Sequence, residues 1–402
     1  MPIAVVALDT RGGVQPYAAL ALGLQEAGHE VRMVAPAGFT PWLAGMGLDV
    51  HAVGVDTAAA RADGVAEMGR VARTRYMRAR AVEHTARSAT DVLRACEGVD
   101  LLMGGIGGAT LGRPVAEKLG VPFVDAHLHP IGPPTAAFPG VLLPRTPRFA
   151  WKASHGPSRL GATLPFRSAV RRARRDVLGL PARPAPVDHT LPALYGYSRH
   201  VLAAPPEWGP RHHVTGYWTL PGAGPLPPAL EGFLDAGPPP VCIGFGSMTG
   251  ADPAALTALV LDAVRRAGVR AVLLSGWGAL TPLDREDVLV VEEAPHDLLF
   301  PRTAAVIHHG GAGTTGAALR AGVPSVVVPF AVDQPFWGAR VAALGVGPTP
   351  VPRRRLTAGA LADALRATAD PGMRGRAASL GRLIRAEDGV VNAVAALGRV
   401  RG

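Results

Sequence analysis

Apolar runs of strand length alternate with helix-length amphipathic segments along the first half of the chain. The pattern predicts a strand at Ile3–Leu8, a helix at Pro16–Ala27 and a strand at Val31–Ala35, with glycines at the turns. Strands that alternate with helices form parallel sheets covered by helices on both faces. Three further elements are predicted, namely strands at Leu101–Gly104 and Phe123–Ala126 and a helix at Arg113–Leu119.

The same alternation restarts in the second half of the chain, after residues 219–240, which are rich in proline and glycine. This second unit has a strand at Val241–Phe245, a helix at Pro253–Ala267 and a strand at Ala271–Ser275. The proline-rich stretch is therefore predicted to link two domains.

Two units of this kind predict an α/β protein with two facing, Rossmann-like, doubly wound domains, residues 1–218 and 241–380. Ligands bind such sheets beyond the carboxyl ends of the strands, so the site is expected in the cleft between the domains. Residues 381–402 are predicted to be helical and to pack back on the first domain.

Composition narrows the class of protein. With 402 residues, 48% of them hydrophobic, the chain is long and apolar enough to bury two cores. Its two cysteines, Cys96 and Cys242, lie far apart in apolar runs, which argues against a disulfide framework and a zinc site. No stretch has the character of a signal peptide or a membrane span, and a cytoplasmic location is expected.

The net charge of +10 is carried almost wholly by arginine, with a dense cluster in residues 167–175. Nucleic acid is not expected as a partner, because no aromatic residues are interleaved to stack on bases. The cluster is interpreted as a solvated helix face, and a weak contact with anionic lipid or with a partner protein is the alternative.

The strongest local signal for function is the sequence HHGGAGTT at positions 308–315. An apolar strand that ends at His308 leads into a glycine loop, and a helix begins near Thr314. Free N–H groups at a helix N-terminus attract anions, glycines allow close approach of the backbone, and the histidine adds a donor. The segment therefore predicts a cradle for a diphosphate.

Two other interpretations of this loop stay open. A glycine-rich turn can serve packing alone. Gly311, Gly313 and Gly316 also match the G-x-G-x-x-G pattern of NAD-binding proteins, with Asp333 about 20 residues later. The NAD interpretation is the weaker one, because Asp333 lies beyond the next strand and the loop lies in the second domain.

Further motifs follow the glycine loop, namely AGVPSVVVPF at 321–330 and DQPFWG at 333–338. Together with HHGGAGTT they closely resemble the nucleotide-sugar motif of family 1 glycosyltransferases, which have the GT-B fold. Supporting matches, such as GFGSM at 244–248 and DTRGGVQP at 9–16, extend the resemblance over nearly the whole chain. It is most similar to the sterol-glucosyltransferase-like and glycopeptide-antibiotic (vancomycin-group) branch.

The resemblance implies how a nucleotide sugar is held. Trp277 would stack on a pyrimidine base, with Val291 nearby. Asp333 and Gln334 would hydrogen-bond sugar hydroxyls, and His309 would support the loop. The residues implied to hold the diphosphate are Ser247, His308, Gly310, Gly311, Gly313 and Thr314.

The reaction implied by the resemblance is a single displacement at the anomeric carbon with inversion. It needs stabilisation of the leaving diphosphate and usually a base for the acceptor hydroxyl. No Asp-x-Asp triplet occurs in the sequence, so neither a metal ion nor a cofactor other than the nucleotide sugar is expected. The helix end and His308 would then carry the negative charge.

The first-domain loop departs from the family pattern at the position of the base. The family pattern is Gly-Thr-Arg-Gly-Asp, with the aspartate as base, whereas this chain has Asp9 at the first position and Gly13 at the last. Three explanations stay open. Asp9 acts from four residues upstream, or His127 or His129 takes over, or the acceptor needs little base or turnover has been lost.

Acceptor contacts are predicted for Thr10, Arg11, His129 and Phe138. Segments 57–80 and 128–165 lie where the family shapes its acceptor pocket. The aromatic residues and prolines of the second segment favour a lipophilic aglycone.

The sequence therefore predicts an inverting hexosyltransferase that uses a UDP- or dTDP-linked hexose or deoxyhexose and a natural-product or sterol-like acceptor. The first alternative is a non-catalytic relative that binds nucleotide sugar or assists a partner enzyme, because the usual base position is Gly13. The second alternative is an NAD-dependent oxidoreductase.

Overall fold

The computed structural model describes most of the chain, namely residues 1–54, 85–220, 224–246, 253–276 and 285–398. The predicted donor residues Ser247 and Trp277 lie outside the described residues, as does the segment 57–80. The other predicted site residues are all described.

A parallel sheet of seven strands forms the core of the first domain. The strands are β1 (Pro2–Val6), β2 (Glu30–Pro36), β3 (Asp49–Val53), β4 (Leu101–Gly104), β5 (Phe123–His127), β6 (Ala193–Tyr195) and β7 (His212–Val214). They are ordered β3-β2-β1-β4-β5-β6-β7, and every pair is parallel. The strand order changes direction between β1 and β4, which is where doubly wound sheets bind ligands.

A parallel sheet of five strands forms the core of the second domain. The strands are β8 (Val241–Gly244), β9 (Ala271–Leu274), β10 (Val288–Val291), β11 (Ala305–His308) and β12 (Ser325–Val327). Their order is β10-β9-β8-β11-β12, so the direction changes between β8 and β11. The glycine loop follows β11 and therefore lies at the corresponding crevice.

Helices cover the two sheets. They are α1 (Arg11–Glu26), α2 (Thr40–Ala44), α3 (residues 85–95), α4 (Ile106–Leu119), α5 (Trp151–Thr163), α6 (Arg167–Arg172), α7 (Pro228–Asp235), α8 (Pro253–Ala267), α9 (His296–Leu299), α10 (Ala312–Ala321), α11 (Gln334–Ala343), α12 (Ala358–Ala367), α13 (Pro371–Arg385) and α14 (Gly389–Gly398). Among these described helices, none is both long and apolar enough to cross a bilayer.

Two helices begin earlier than the sequence pattern predicts. α1 starts five residues before the predicted Pro16, and α4 starts seven residues before the predicted Arg113. Both helices have glycines in their first turn, and glycine weakens helices; the sequence analysis placed Gly12 and Gly13 in a turn and left Gly107 and Gly108 outside the predicted helix. In the structure these glycines form the first turns of the helices.

The glycines of α4 allow it to lie directly on the end of β1. A Cβ atom at Gly108 would lie 1.9 Å from the carbonyl oxygen of Val6, and one at Gly107 would lie 2.4 Å from that of Leu8. Real Cβ atoms do not approach backbone this closely, so only glycine fits at these two positions. The N-terminus of α4 is thereby held beside the carboxyl end of β1.

The stretch between the two sheets is partly helical. α7 lies inside the region predicted as linker, and its Leu230 and Leu234 are buried with Cys242 and Phe300 of the second domain. Their spacing of four residues places both leucines on one helix face. This part of the stretch therefore belongs to the second domain's core.

The C-terminal helix α14 packs on α1. Ala393 and Leu397 of α14 are buried in the core of the first domain. A Cβ atom at Gly23 of α1 would lie 2.1 Å from Cγ1 of Val390, which shows how closely α1 and α14 pack. Residues far apart in sequence thus complete the first domain.

The two domains share one apolar cluster. Phe138 and Trp208 of the first domain lie in the same buried cluster as Phe336 and Trp337 of the second. The ring centroids of Phe138 and Phe336 are 6.0 Å apart in an edge-on arrangement. Buried aromatic contacts of this kind hold the cleft in a defined geometry.

Candidate active site

Two helix N-termini face each other across the cleft. A Cβ atom at Gly313, in the first turn of α10, would lie 3.2 Å from the carbonyl oxygen of Gly12 in the first turn of α1. Neither first turn contains an acidic residue. The capping residue Thr10 accepts no hydrogen bond from the first turn of α1 with its side chain, and the capping residue Gly311 of α10 has no side chain to do so. The first amides of α10 therefore keep their capacity to bind an anion, whereas the Gly13 N–H of α1 donates to the Thr10 carbonyl oxygen at 2.9 Å.

His308 adds a neutral hydrogen-bond donor to this region. Its Nδ1 accepts a hydrogen bond from the Gly310 N–H at 3.1 Å, and its buried Nε2 has no partner among the described residues. Burial lowers the pKa of His308 to about 3, so the ring is neutral at ordinary pH. Since Nδ1 accepts, the proton is on Nε2, which is left as a donor without an acceptor.

The ring of His309 folds against the glycine loop. A Cβ atom at Gly311 would lie 2.5 Å from Nε2 of His309. Burial lowers the pKa of His309 as well. This histidine shapes the loop from the side, as the family resemblance implies.

The loop before α11 presents Asp333 and Gln334. The Gln334 Oε1 accepts hydrogen bonds from the N–H groups of Phe330 at 2.7 Å and Ala331 at 3.0 Å, which ties the loop together. Val332, between these partners, has a φ of 57° although it is β-branched. Backbone strain of this kind concentrates at functional sites, and here it precedes the buried Asp333.

Asp333 meets His129 of the first domain across the cleft. The distance from His129 Nε2 to Asp333 Oδ2 is 3.0 Å. Burial lowers the pKa of His129, but the Asp333 carboxylate more than offsets this and the pKa lies above its ordinary value. Burial likewise raises the pKa of Asp333, yet His129 keeps it below its usual range. The two groups therefore form an ion pair between the domains.

Asp9 and His129 line a common pocket at the carboxyl ends of β1, β4 and β5. The pocket is small and partly open to solvent. Its lining residues are Ala7, Leu8, Asp9, Tyr17, Ile106, Gly107, Gly108, Leu128 and His129. It occupies the point where the strand order changes direction in the first sheet.

The carboxylate of Asp9 lies where a side chain at position 13 would begin. A Cβ atom at Gly13 would lie 2.4 Å from Asp9 Cγ and 2.6 Å from Asp9 Oδ2. The other carboxylate oxygen, Oδ1, accepts a hydrogen bond from the Thr10 N–H at 2.6 Å. Gly13 therefore leaves room that the Asp9 side chain fills.

His127 belongs to a different cluster from His129. Side chains alternate along a strand, so His127 shares a face of β5 with Asp125, and its Nε2 lies 3.7 Å from Asp125 Oδ1. Asp125 is itself paired with Arg113, and the His127 ring packs on Tyr195 with centroids 5.4 Å apart. Burial lowers the pKa of His127. This histidine is absent from the lining of the Asp9 pocket.

The remaining predicted residues are distributed around the cleft. Arg11 forms an exposed ion pair with Glu293 of the second domain, and its guanidinium lies 5.3 Å from the centre of the Trp42 ring. Phe138 is buried in the interdomain aromatic cluster. Val291 is the last residue of β10, which pairs with β9.

Sequence reasoning missed Tyr17 as a lining residue of the pocket. Its hydroxyl donates a hydrogen bond to the Ala126 carbonyl oxygen at 2.7 Å and joins α1 to β5. Burial raises its pKa well above the ordinary range. An isolated tyrosine in an amphipathic helix carries no local signal for such a contact, because its partner is 109 residues away.

Two doubly wound parallel domains that face each other across a ligand cleft define the GT-B class of glycosyltransferases. Comparison with known families agrees with this assignment. Residues 3–131 match the glycosyltransferase family 28 N-terminal domain, and residues 280–388 match the erythromycin biosynthesis protein CIII-like C-terminal domain.

Individual relatives match over almost the whole chain. The vancomycin aglycone glucosyltransferase of Amycolatopsis orientalis is 36% identical, with 98% of this chain and 96% of that protein covered. A sterol 3-beta-glucosyltransferase of Arabidopsis thaliana is 33% identical, with 99% and 68% covered. The crystal structure of glycosyltransferase VinC in complex with dTDP matches with a TM-score of 0.68 at 22% identity, and both chains are covered completely.

The chain belongs to the family of GT-B glycosyltransferases that includes the sterol glucosyltransferases and the antibiotic glycosyltransferases. The predicted fold and the predicted family are both confirmed.

Proposed function

We propose that the protein transfers a hexose or deoxyhexose from a UDP- or dTDP-sugar to a hydroxyl group of a lipophilic natural-product or sterol-like acceptor, with inversion and without a metal ion. The acceptor class is supported by the relatives named for vancomycin aglycone and for sterols. The structural neighbour VinC, which shares the fold, was crystallised with dTDP, and this supports a pyrimidine diphosphate as the nucleotide.

One observation carries this proposal: the residues of the second domain that would bind the nucleotide sugar face the Asp9 pocket of the first domain. The N-terminus of α10 lies opposite that of α1, and Asp333 is paired with His129, which lines the same pocket as Asp9. A diphosphate bound at the N-terminus of α10 would therefore direct its sugar toward Asp333. The anomeric carbon would then lie beside the pocket in which an acceptor hydroxyl can be deprotonated.

The reaction that this geometry supports is a single displacement. The acceptor oxygen forms a bond to the anomeric carbon while the bond from that carbon to the diphosphate oxygen breaks, and the acceptor proton moves to a carboxylate. The nucleoside diphosphate leaves with the bonding electron pair. Its added negative charge is stabilised by the amides of α10 and the Nε2–H of His308, which supply the role that a metal ion has in other enzymes.

Asp9 is the base in this proposal. The family resemblance leads one to expect glycine at position 9 and aspartate at position 13, and the chain has the reverse. Because Asp9 Cγ lies 2.4 Å from the Cβ position of residue 13, a carboxylate stays in nearly the same space after this exchange. The departure at Gly13 therefore does not remove the carboxylate from the cleft.

The two histidines are less suited to the role of base. His129 has a raised pKa and is held by Asp333, which favours the protonated ring, and a protonated ring cannot accept the proton of the acceptor hydroxyl. His127 is paired with Asp125 and does not line the Asp9 pocket.

A donor panel tests the function. Thermal unfolding is followed with UDP-, dTDP- and GDP-sugars, and we expect a pyrimidine diphosphate sugar to raise the melting temperature because it binds only the folded state. Transfer to lipophilic acceptors is then measured with and without a chelator, and product stereochemistry is determined by NMR. Retention, or loss of activity with the chelator, contradicts the mechanism. Donor binding without transfer to any acceptor supports the non-catalytic alternative.

A positional exchange tests the base. We expect Asp9→Gly to lower kcat by about 100-fold or more, and Gly13→Asp in the Asp9→Gly background to restore much of the rate. Gly13→Asp alone is expected to impair the enzyme, because the new side chain would collide with Asp9. Donor affinity, measured by calorimetry, should stay close to that of the wild type in all three variants. Undiminished turnover in Asp9→Gly would remove Asp9 from the mechanism.

A further inference from the structure

Residues 143–175 form a strongly basic segment on the surface of the first domain. The segment contains no aspartate or glutamate, and its cations are Arg145, Arg148, Lys152, Arg159, Arg167, Arg171, Arg172, Arg174 and Arg175. The sequence analysis interpreted the arginines of 167–175 as a solvated helix face. The structure adds that this face also carries large apolar side chains.

Helix α5, within this segment, buries a face of uncharged polar side chains and exposes Lys152, Arg159 and Leu160. Its buried residues are Ser154, His155 and Ser158, a set that occupies one helix face. Ser154 and Ser158 accept hydrogen bonds from the N–H groups of Gly140 at 2.7 Å and Leu142 at 3.0 Å. Hydrogen bonds rather than apolar packing therefore attach the helix to the body of the domain.

The outer face of the same segment exposes large apolar side chains beside its cations. Leu160, five residues after His155, lies on the side of α5 opposite the buried face. The exposed fraction is 93% for Phe149, which immediately precedes the helix region, and 50–55% for Leu164 and Phe166, which follow it. Side chains of this size are normally buried, so their grouping on one short segment marks an interaction surface.

One arginine of the cluster has a structural role. Arg174 is buried and donates two hydrogen bonds to Glu117 of α4, at 2.7 and 2.9 Å. Arg172 pairs with Asp176 at 3.5 Å. Arg167, Arg171 and Arg175 are exposed and have no acidic residue within their own segment. Arg174 thus attaches a surface whose remaining cations face solvent.

We propose that this basic-apolar face, residues 143–175, binds the surface of an anionic lipid bilayer. Phenylalanine and leucine side chains enter the boundary between head groups and acyl chains, while the arginines bind lipid phosphates. A bilayer fits both features at once, because it offers negative charge over a wide area and apolar space directly beneath it. A helix of 13 residues lies flat on such a surface and does not cross it.

The face is connected to the active-site cleft. His155 of α5 lies 2.9 Å from the carbonyl oxygen of Phe138, whose ring packs on Phe336 of the second domain. A membrane under α5 would therefore lie near the domain boundary. The binding itself does not depend on the proposed reaction, so it can be tested without any activity measurement.

The experiment is cosedimentation of the full chain with vesicles at low salt. The vesicles consist of phosphatidylcholine alone or of phosphatidylcholine mixed with phosphatidylglycerol. We expect binding only to the mixed vesicles, and we expect it to weaken as salt is added. The triple variant Phe149→Ser, Leu164→Ser, Phe166→Ser should reduce the partition coefficient about tenfold or more. The variant Arg167→Gln, Arg171→Gln, Arg175→Gln should reduce it by about 100-fold.

Matched controls change the same residue types elsewhere. Leu383→Ser with Val391→Ser removes exposed apolar side chains from the C-terminal helices, and Arg354→Gln, Arg355→Gln, Arg382→Gln removes the same charge. Both controls should bind as the wild type does. The proposal is overturned if the wild type fails to bind mixed vesicles, if the face variants bind like the controls, or if light scattering shows that the face joins two copies of the chain and vesicles do not bind.

Discussion

At the scale of single residues, Val332 is the clearest case of strain. Among the described residues it is the non-glycine residue with a positive φ, 57°, and its side chain is 66% exposed. A β-branched side chain in this conformation costs about 1–2 kcal/mol. We expect Val332→Asn to raise the free energy of unfolding by about 1 kcal/mol, because asparagine tolerates the left-handed region. Chemical denaturation measures the change.

The matched control for this prediction is Val391→Asn. Val391 is also an exposed valine, 59% accessible, but it lies in the helix α14, where no left-handed conformation is present. We expect no gain in stability there. An equal gain at both positions would show that strain at Val332 is not the cause.

His308 illustrates how burial selects a protonation state. Its pKa of about 3 predicts that it donates to the diphosphate as a neutral ring from about pH 5 to about pH 8, so donor affinity should change little over this range. His308→Ala should weaken binding of the nucleotide sugar by about 10- to 100-fold, because a hydrogen bond to a charged group is lost. Calorimetry with the intact nucleotide sugar measures both effects. Affinity that rises in the wild type alone as the pH falls would indicate a protonated ring instead.

At the scale of elements, the packing of α4 on β1 determines the shape of the pocket. We expect Gly108→Ala to displace the start of α4 and to lower the free energy of unfolding by about 2–3 kcal/mol, because its Cβ would lie 1.9 Å from a backbone carbonyl. Gly375→Ala in α13 is the control, since a Cβ there meets nothing within 4 Å. It should stabilise by about 0.5–1 kcal/mol. Destabilisation by both substitutions would contradict the argument from close packing.

The same helix shows what sequence patterns can predict and what they miss. Buried parallel strands have continuous apolar runs, and the predicted bounds of β4 and α8 are those of the structure. The start of α4 was missed because Gly107 and Gly108 weaken a helix locally, and only their contact with β1 favours them. A contact between distant residues overrides local propensity at such positions.

The candidate site likewise contains residues that the sequence predicted and a contact that it did not. The strand, glycine loop and helix predicted the diphosphate cradle with His308, the family resemblance implied Asp333 and Gln334, and the ligand contacts of all these residues stay predictions. The pairing of Asp333 with His129 was not predicted, because it joins residues 204 positions apart in two domains. No periodicity along the chain encodes a contact across a cleft, so only the folded structure reveals it.

At the scale of the whole molecule, two ion pairs between residues that the structure describes join the domains across the cleft. Arg11 and Glu293 are both exposed, with side-chain accessibilities of 46% and 68%, whereas those of His129 and Asp333 are 22% and 12%. Exposed pairs contribute little because water screens them, and buried pairs contribute more once their partners are present. The buried pair is therefore expected to dominate the electrostatic link between the domains.

The strength of this link should depend on pH in a definite direction. The pKa of His129 is raised above 6.5, so its stabilisation is fully present below pH 6.5 and is lost as the pH rises through the raised value. The pKa of Asp333 is lowered below 3.8, so its stabilisation is present above pH 3.8 and is lost as the pH falls through the lowered value. The ion pair thus contributes most between these limits.

A double-mutant cycle of His129→Ala and Asp333→Asn measures the coupling between the domains. We expect a coupling free energy of about 1–3 kcal/mol at about pH 6, with a decline as the pH rises through the raised pKa of His129. The cycle of Arg11→Ala and Glu293→Ala is the control and should give less than about 1 kcal/mol, since both side chains are exposed to water. A coupling between His129 and Asp333 that does not decline as the pH rises would mean that the imidazolium does not hold the domains together. The cleft would then owe its geometry to the aromatic cluster around Phe138 and Phe336 alone.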